Sequence, residues 1–353
     1  MLYRLLNFGG NMKGRYGFIS VMALIVMSVV IFMVLYLGHK AILQYLILSS
    51  TSNNTQSYYL AEAKIFMAVS EGKYYNDQLY PGLLEYFRLY PYSRGPGNII
   101  IDNEDLELGD NEKNIRVRIL DKNNRKYLNI IAESNYKGLK SKVTSSITII
   151  NEVFEIEKPK LDVNSIEAKY RDKLSRLLQQ ISNEININSS NGSQNIYGAE
   201  FSSFNDIVLY KRDDGSFEIN SYRETMKEPF VERFPKKEVF ISVKDFEGGT
   251  NFFIGNPEKS NKKIKLSGVI YVEGNIIISS NFEFNGIIIA KDGEIIINDN
   301  IDVDIIGMLI TDNVINNDFM EKVNIKYYRH FIYKYGTYLP GFIEPIIDVI
   351  KSN

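Results

Sequence analysis

The run Gly17-Phe-Ile-Ser-Val-Met-Ala-Leu-Ile-Val-Met-Ser-Val-Val-Ile-Phe-Met-Val-Leu-Tyr-Leu37 decides the organisation of the chain. It carries no charge, and its clearly polar members are Ser20 and Ser28, whose hydroxyls can return to the preceding helical turn. At about 1.5 Å per residue such a helix spans about 30 Å, the thickness of a bilayer hydrocarbon core. A helix buried in a soluble core ordinarily keeps a polar face, and this one has none. Arg4, Lys13 and Arg15 precede the run, and no acidic residue occurs before Glu62. That asymmetry predicts an N-terminus held in the cytoplasm and a chain that lies outside after Leu37.

Residues 1–17 read as a basic leader, with Gly9, Gly10 and Gly14 opposing a stable helix there. A cleaved secretory signal is the rival reading. It would have a shorter apolar region and a small-x-small site directly after it, whereas the nearest such site is Ala61-Glu62-Ala63. Ala41–Leu48 continues without a helix breaker, and Tyr59, Ala63, Phe66 and Met67 recur at the spacing of one helix face. Gly72 offers a stop. One helix over 18–72 is expected, with its outer half amphipathic and in need of something to pack on.

That partner is expected in 73–160. Asn98–Gly109, Asn114–Asp121, Lys126–Glu133 and Lys142–Asn151 read as strands, with turns at Asn123-Asn124 and Asn135–Gly138. In the last strand Val143, Ile147 and Ile149 share one face and Thr144, Ser146 and Thr148 the other, the pattern of an antiparallel meander with one face free for a helix. Residues 73–97 read as a tyrosine-rich connection, punctuated by Pro81-Gly82, Pro91 and Gly95-Pro96-Gly97, with one short helix near Leu83–Leu89. A helix over Ser165–Ile187 carries Ile166, Tyr170, Leu174, Leu177, Leu178 and Ile181 on one stripe. The linker Ser189–Gln194 closes a segment 161–194.

The remainder, 195–353, reads as all-β. Asp214-Gly215 joins two strands as a hairpin. Residues 267–312 repeat a short pattern: Gly268, Gly286 and Gly307 each lead an apolar strand, with Ile276–Ile278 and Ile295–Ile297 between them. A period near 20 residues suits the coils of a β-solenoid. An antiparallel sandwich is the competing arrangement. The isoleucine triples, including Ile287–Ile289, read as strands stacked between neighbours, with Ile288 and Ile296 as inward positions. Residues 319–339 are expected to cap the stack and Leu339–Ile350 to form a short terminal helix or tail. The fold class is thus α+β: a long N-terminal membrane helix, an antiparallel β region, a helix, and an all-β C-terminal region with solenoid-like repeats.

Composition narrows the function. The net charge of −2 gives no pull toward nucleic acid, and with no cysteine an exported domain must hold by core and sheet alone. His39, at the membrane exit, and His330, in a basic, aromatic segment, are the two histidines, and a catalytic or zinc centre would need one of them beside distant partners. Asp299, Asp302 and Asp304 read as solvated turn acids ahead of a calcium site. Asn53, Asn188 and Asn191 match a weak glycosylation pattern, and the lysines from Lys259 to Lys265 read as a solvated loop. No cofactor, metal or catalytic residue is indicated. A solenoid enzyme would need more coils and a cleft of acids and bases where this repeat carries isoleucine.

Three stretches carry a resemblance: Lys13-Gly-Arg-Tyr-Gly17, the apolar run after it, and Gln56-Ser-Tyr-Tyr-Leu-Ala-Glu-Ala63. Together with the strand pair Lys126–Glu133 and Leu139–Ile150, they resemble type IV pilin-like proteins, in particular clostridial-type minor pilins with a PilX-like N-terminal segment. The resemblance covers about residues 13–150 and is looser over the repeat. It implies a membrane-held precursor, cleavage by a prepilin peptidase between Gly17 and Phe18, and assembly with other pilin-like subunits through the apolar helix, with Glu62 in the alanine-glutamate-alanine signature. Major pilins carry glutamate at the fifth mature position, where this chain has Met22. That departure points to a minor, tip or priming type subunit at the cell surface, or to a permanently anchored extracellular binding protein that is never cleaved.

Overall fold

The computed structural model describes residues 12–89, 97–105, 109–122, 125–187, 196–245, 248–255, 262–313 and 321–352, with the backbone alone for residues 12–16. The turn at Asn123-Asn124, the linker Ser189–Gln194 and the sites Asn188 and Asn191 lie outside the described residues. Helix α1 runs unbroken from Met12 to Val69. It therefore begins inside the basic leader and passes through Gly14 and Gly17, where no start was expected. A glycine costs a helix about 1 kcal/mol, which the long helical run that follows can carry.

After α1 the chain forms a π-helical turn, Tyr75–Leu79, that leads directly into α2, Tyr80–Arg88. The expected loop is thus largely helical. Pro81 lies in the first turn of α2, where its missing N–H would be unpaired in any helix, so it starts the element that it was taken to interrupt. Strands β1 (Asn98–Asp102), β2 (Asn114–Lys122), β3 (Arg125–Tyr136) and β4 (Leu139–Ile150) then make the antiparallel meander. Lys137 and Gly138, both at positive φ, form the two-residue turn between β3 and β4.

A 3₁₀ turn at Glu152–Glu155, the short strand β5 (Lys160–Leu161) and helix α3 (Ala168–Glu184) follow. α3 buries Leu174, Leu177, Leu178 and Ile181, the expected stripe. From β6 (Ile196–Phe201) the chain passes back and forth between two further sheets. β6, β10 (Glu238–Val243), β12 (Ile264–Glu273), β14 (Phe282–Lys291), β16 (Val303–Thr311) and β17 (Val323–Lys326) lie side by side in sheet two, all parallel, and β5 also pairs with β16. β7 (Asp206–Lys211), β11 (Asn251–Ile254), β13 (Asn275–Ile278) and β15 (Ile295–Ile297) are the parallel part of sheet three. β8 (Phe217–Tyr222) and β9 (Phe230–Phe234) extend it by antiparallel hairpins, the first through the turn that holds Gly215. Apart from β8 and β9, the strands of these two sheets pair with their neighbours in parallel.

The three leading glycines stand in register, Gly268 beside Gly286 and Gly286 beside Gly307. Their φ angles are +134°, +151° and +147°, and a Cβ on any of them would lie 1.9 Å from the carbonyl oxygen of the strand before. Only glycine fits such a column.

The apolar residues form two clusters. One lies between sheets two and three and takes Ile270, Ile288 and Leu309 from one side and Leu209, Phe252 and Ile276 from the other. The second runs from α1 across sheet one and α2 to α3, to helix α4 (Arg329–Gly336), and to the opposite face of sheet two at Tyr271, Ile287, Ile289 and Met308. Sheet two is thus buried on both faces, and Ile287–Ile289 is buried throughout. Sheet three is covered on one face, so its triples alternate. Ile276 and Ile278 point in and Ile277 is half-buried, while Ile296 is 44% exposed between Ile295 and Ile297. The inward assignment of Ile296 is therefore corrected, and that of Ile288 holds.

The C-terminal segment differs most from expectation. Residues 343–352 form a strand, β18, that leaves the C-terminal region and pairs antiparallel with β4, closing sheet one in the order β1-β2-β3-β4-β18. It is neither a helix nor a tail. β17 stacks on β16 and α4 covers the outer face of sheet two, in the stretch expected to cap the repeat.

Candidate assembly surface

α1 is the one helix among the described residues that is long and apolar enough to cross a membrane. From Phe18 to Leu48 its large apolar side chains are exposed on every side. Where a hydroxyl occurs it returns to the helix, as Ser28 Oγ does to the carbonyl of Ile25 at 2.7 Å. The stretch from Phe18 to Leu48 measures about 45 Å, interrupted at Gly38-His39-Lys40, against about 30 Å for the hydrocarbon of a bilayer. Beyond Gly38-His39-Lys40, Tyr45, Leu46 and Leu48 remain exposed.

Farther out, α1 docks on sheet one through Ser57, Ala61, Lys64, Ile65 and Ala68, all buried. This is the face opposite to the expected one. Tyr59 is 58% exposed and Phe66 46%, and Ala63 and Met67 are exposed beside them. Small side chains let the helix backbone approach the sheet, and two polar pairs fix its position. Ser57 Oγ lies 2.7 Å from Ser134 Oγ and donates to the Leu139 carbonyl at 3.0 Å. Lys64 Nζ meets the Asp110 carboxylate at 2.6 Å and donates to the carbonyls of Glu112 and Glu133. Asp110 Oδ1 accepts from the backbone amides of Glu112 and Asn135, both at 3.0 Å. Burial pushes the Asp110 carboxyl up, but its hydrogen bonds from Lys64, Asn135 and Glu112 outweigh that and hold it below the usual carboxylate range. A buried ammonium that donates to two carbonyls and forms an ion pair with a buried carboxylate, whose other oxygen accepts from two amides, is a compensated pair, the condition under which such burial is tolerated.

Sequence reading missed this joint. Its signal was a lone lysine, Lys64, on the same helical stripe as Ala61, Ile65 and Ala68, a place that a cation occupies only when an acceptor waits opposite.

The expected site residues separate into two groups. Gly17, Phe18 and Met22 lie within one turn or so of α1, with open space around Gly17 and with Phe18 and Met22 exposed. Glu62 is half-buried on the outer half, about 60 Å farther along the helix axis. His39 is exposed on α1, and His330 is half-buried on α4, its ring set between Tyr328 and Phe331. Asp299 pairs with Lys322 at 2.7 Å and Asp304 with Lys263 at 3.7 Å, so the turn acids diverge. No group of three or more potential metal ligands occurs among the described residues. Lys263 and Lys265 both pair with Glu283.

Comparison with protein-family models, curated proteins and solved structures gives no match. The surface just described therefore has to be read on its own terms.

Proposed function

We propose that this chain is a minor, tip or priming type subunit of a type IV pilus-like filament, structural and non-enzymatic. The observation that carries the reading is the division of α1. Its inner stretch is apolar on all sides, and its outer stretch docks one face on an antiparallel sheet while Tyr59, Phe66 and Met67 continue the exposed apolar surface. Such a helix keeps its surface covered in lipid, and covered again when it moves sideways among the helices of a filament. The N-terminus lies in the cytoplasm and the sheets outside, with a single pass between them. A prepilin peptidase cuts between Gly17 and Phe18, and Met22, where major pilins place glutamate, leaves the new amino terminus of Phe18 without a partner of its own kind. The subunit therefore assembles with other pilin-like subunits. The stacked parallel strands of sheets two and three form a short β-solenoid displayed at a tip or flank.

A second reading is a permanently membrane-anchored extracellular binding protein. The unbroken passage of α1 from Met12 through Gly17 favours it, because the bond after Gly17 then lies inside a helix, where a peptidase has poor access.

The absence of cysteine makes the two separable by labelling. Phe66→Cys, carrying a maleimide photo-crosslinker, is expected to yield adducts with other pilin-like subunits in sheared surface filaments. The same probe at Ile100→Cys, exposed on β1, is not. A Phe66 probe that gives no adduct in any fraction supports the anchor.

A further inference from the structure

The face of sheet three turned away from the core is built as a narrow apolar track between two polar borders. Register across its six strands aligns Val231, Asn220, Val208, Phe253, Ile277 and Ile296 in a single row. Val231 and Ile296 are exposed at its ends, and Val208, Phe253 and Ile277 are half-buried between them. Asn220 interrupts the row, and its buried Oδ1 has no hydrogen-bond partner among the described residues.

On one side runs a ladder of amides and a carboxylate. Asn275 Nδ2 donates to Asn251 Oδ1 at 3.0 Å, and Asn251 Nδ2 donates to Asp206 Oδ1 at 2.9 Å. Each amide keeps a second N–H for another acceptor. On the other side stand Tyr210 of β7, Glu218 and Arg233 on the antiparallel extension, and Ser279 and Asn298, whose side chains bond at 3.2 Å. At the end of that border Tyr210, Arg212, Asp214, Glu218 and Arg233 line an open cleft of about 670 Å³.

We infer that this face binds a neutral, linear, β-linked polysaccharide lying across the strands. The apolar row is one side chain wide, too narrow for the well-packed core of a protein interface. It matches a sugar ring, which presents a narrow apolar face edged by hydroxyls. The borders mix donors and acceptors, as hydroxyl partners require. Neighbouring strands lie roughly 4.8 Å apart, so the track repeats at each strand. Rings of an extended β-linked chain advance by a similar step, which lets successive rings meet successive strands. Charge does not favour a polyanion. Glu218 accepts from Tyr210, Arg212 and Arg233, so the two guanidinium groups are already engaged.

The face is the same whether or not residues 1–17 are removed, so its failure leaves the filament reading untouched, and the reverse holds. The test uses the full chain in detergent micelles against immobilised β-linked oligosaccharides of glucose, N-acetylglucosamine and xylose, from disaccharides to octasaccharides. The expected result is retention of at least one series, tighter as the chain lengthens toward the width of the sheet and insensitive to salt. Phe253→Ala is expected to weaken it by roughly tenfold or more. Ile296→Asp and Asn298→Ala, at exposed positions that leave the melting temperature unchanged, are expected to weaken it too. Ile100→Asp on sheet one should leave it unaltered. Retention of none of the series overturns the inference. So does retention that survives the sheet-three variants, or binding confined to an acidic polysaccharide and abolished by salt.

Discussion

Lys64 and Asp110 hold the outer half of α1 to sheet one, and the pair lends itself to a clean test. Lys64→Met keeps the length of the side chain and removes the charge, leaving a buried carboxylate alone. A broken buried pair costs about 3–5 kcal/mol, which should appear as a large drop in the melting temperature. The pH dependence has a definite sign. The folded-state value of Asp110 lies below its ordinary 3.8, so its contribution is full above that value and is lost as the pH falls through the folded one. In Lys64→Met the lysine no longer opposes burial, so the folded value moves up toward or past the ordinary one, and the stability lost on acidification should shrink or reverse. A melting series from neutral to acid pH checks this, and coincident profiles for the two proteins would remove the pair from any structural role. Ile288 and Ile296 give a second contrast at this scale. Ile288→Ala, in the core between sheets two and three, should cost about 2–5 kcal/mol, whereas Ile296→Ala, at an outward position, should change stability by about 0.5 kcal/mol or less.

At the scale of elements, the glycine column of sheet two is the most constrained feature. Gly286→Ala would place a methyl carbon against the Gly268 carbonyl and force an L side chain into a conformation that it disfavours. A loss of about 2–5 kcal/mol is expected, with loosening of β12 and β16 on either side. Hydrogen exchange would read this directly, and unchanged protection of both strands would contradict it. These glycines were legible in the sequence because their spacing repeats. So were the meander and the stripe of α3, where period and burial agree. The docking face of α1 was not legible. Tyr59, Phe66 and Met67 are more apolar than Ser57, Ala61 and Lys64, and periodicity ranks by hydrophobicity, while close packing on a sheet selects small side chains. β18 was missed because its identity as a strand is set by β4, nearly two hundred residues earlier, and an edge strand buries little of its own surface. The triples near Ile277 and Ile296 read as doubly buried because the sequence does not reveal that α3 and α4 cover sheet two and leave sheet three open.

For the whole molecule, the governing relation is between a helix too long and too apolar for water and the three sheets that it carries. On the filament reading, with Gly17–Leu37 in the bilayer, the exposed apolar side chains of Ala41–Leu48 lie beyond Gly38-His39-Lys40 and need cover outside the hydrocarbon. In a filament, neighbouring helices would cover them. For a fixed anchor no such cover is required by the function, and the exposed octet would be a liability. The two readings part at the bond after Gly17. The most direct measurement is the N-terminal sequence of the protein recovered from membranes and from sheared surface filaments, for the wild type and for Gly17→Leu. The filament account predicts a chain beginning at Phe18 in the wild type and an uncut precursor in the variant. Recovery only of chains that still carry residues 1–17, in a strain whose prepilin peptidase is active, would contradict it.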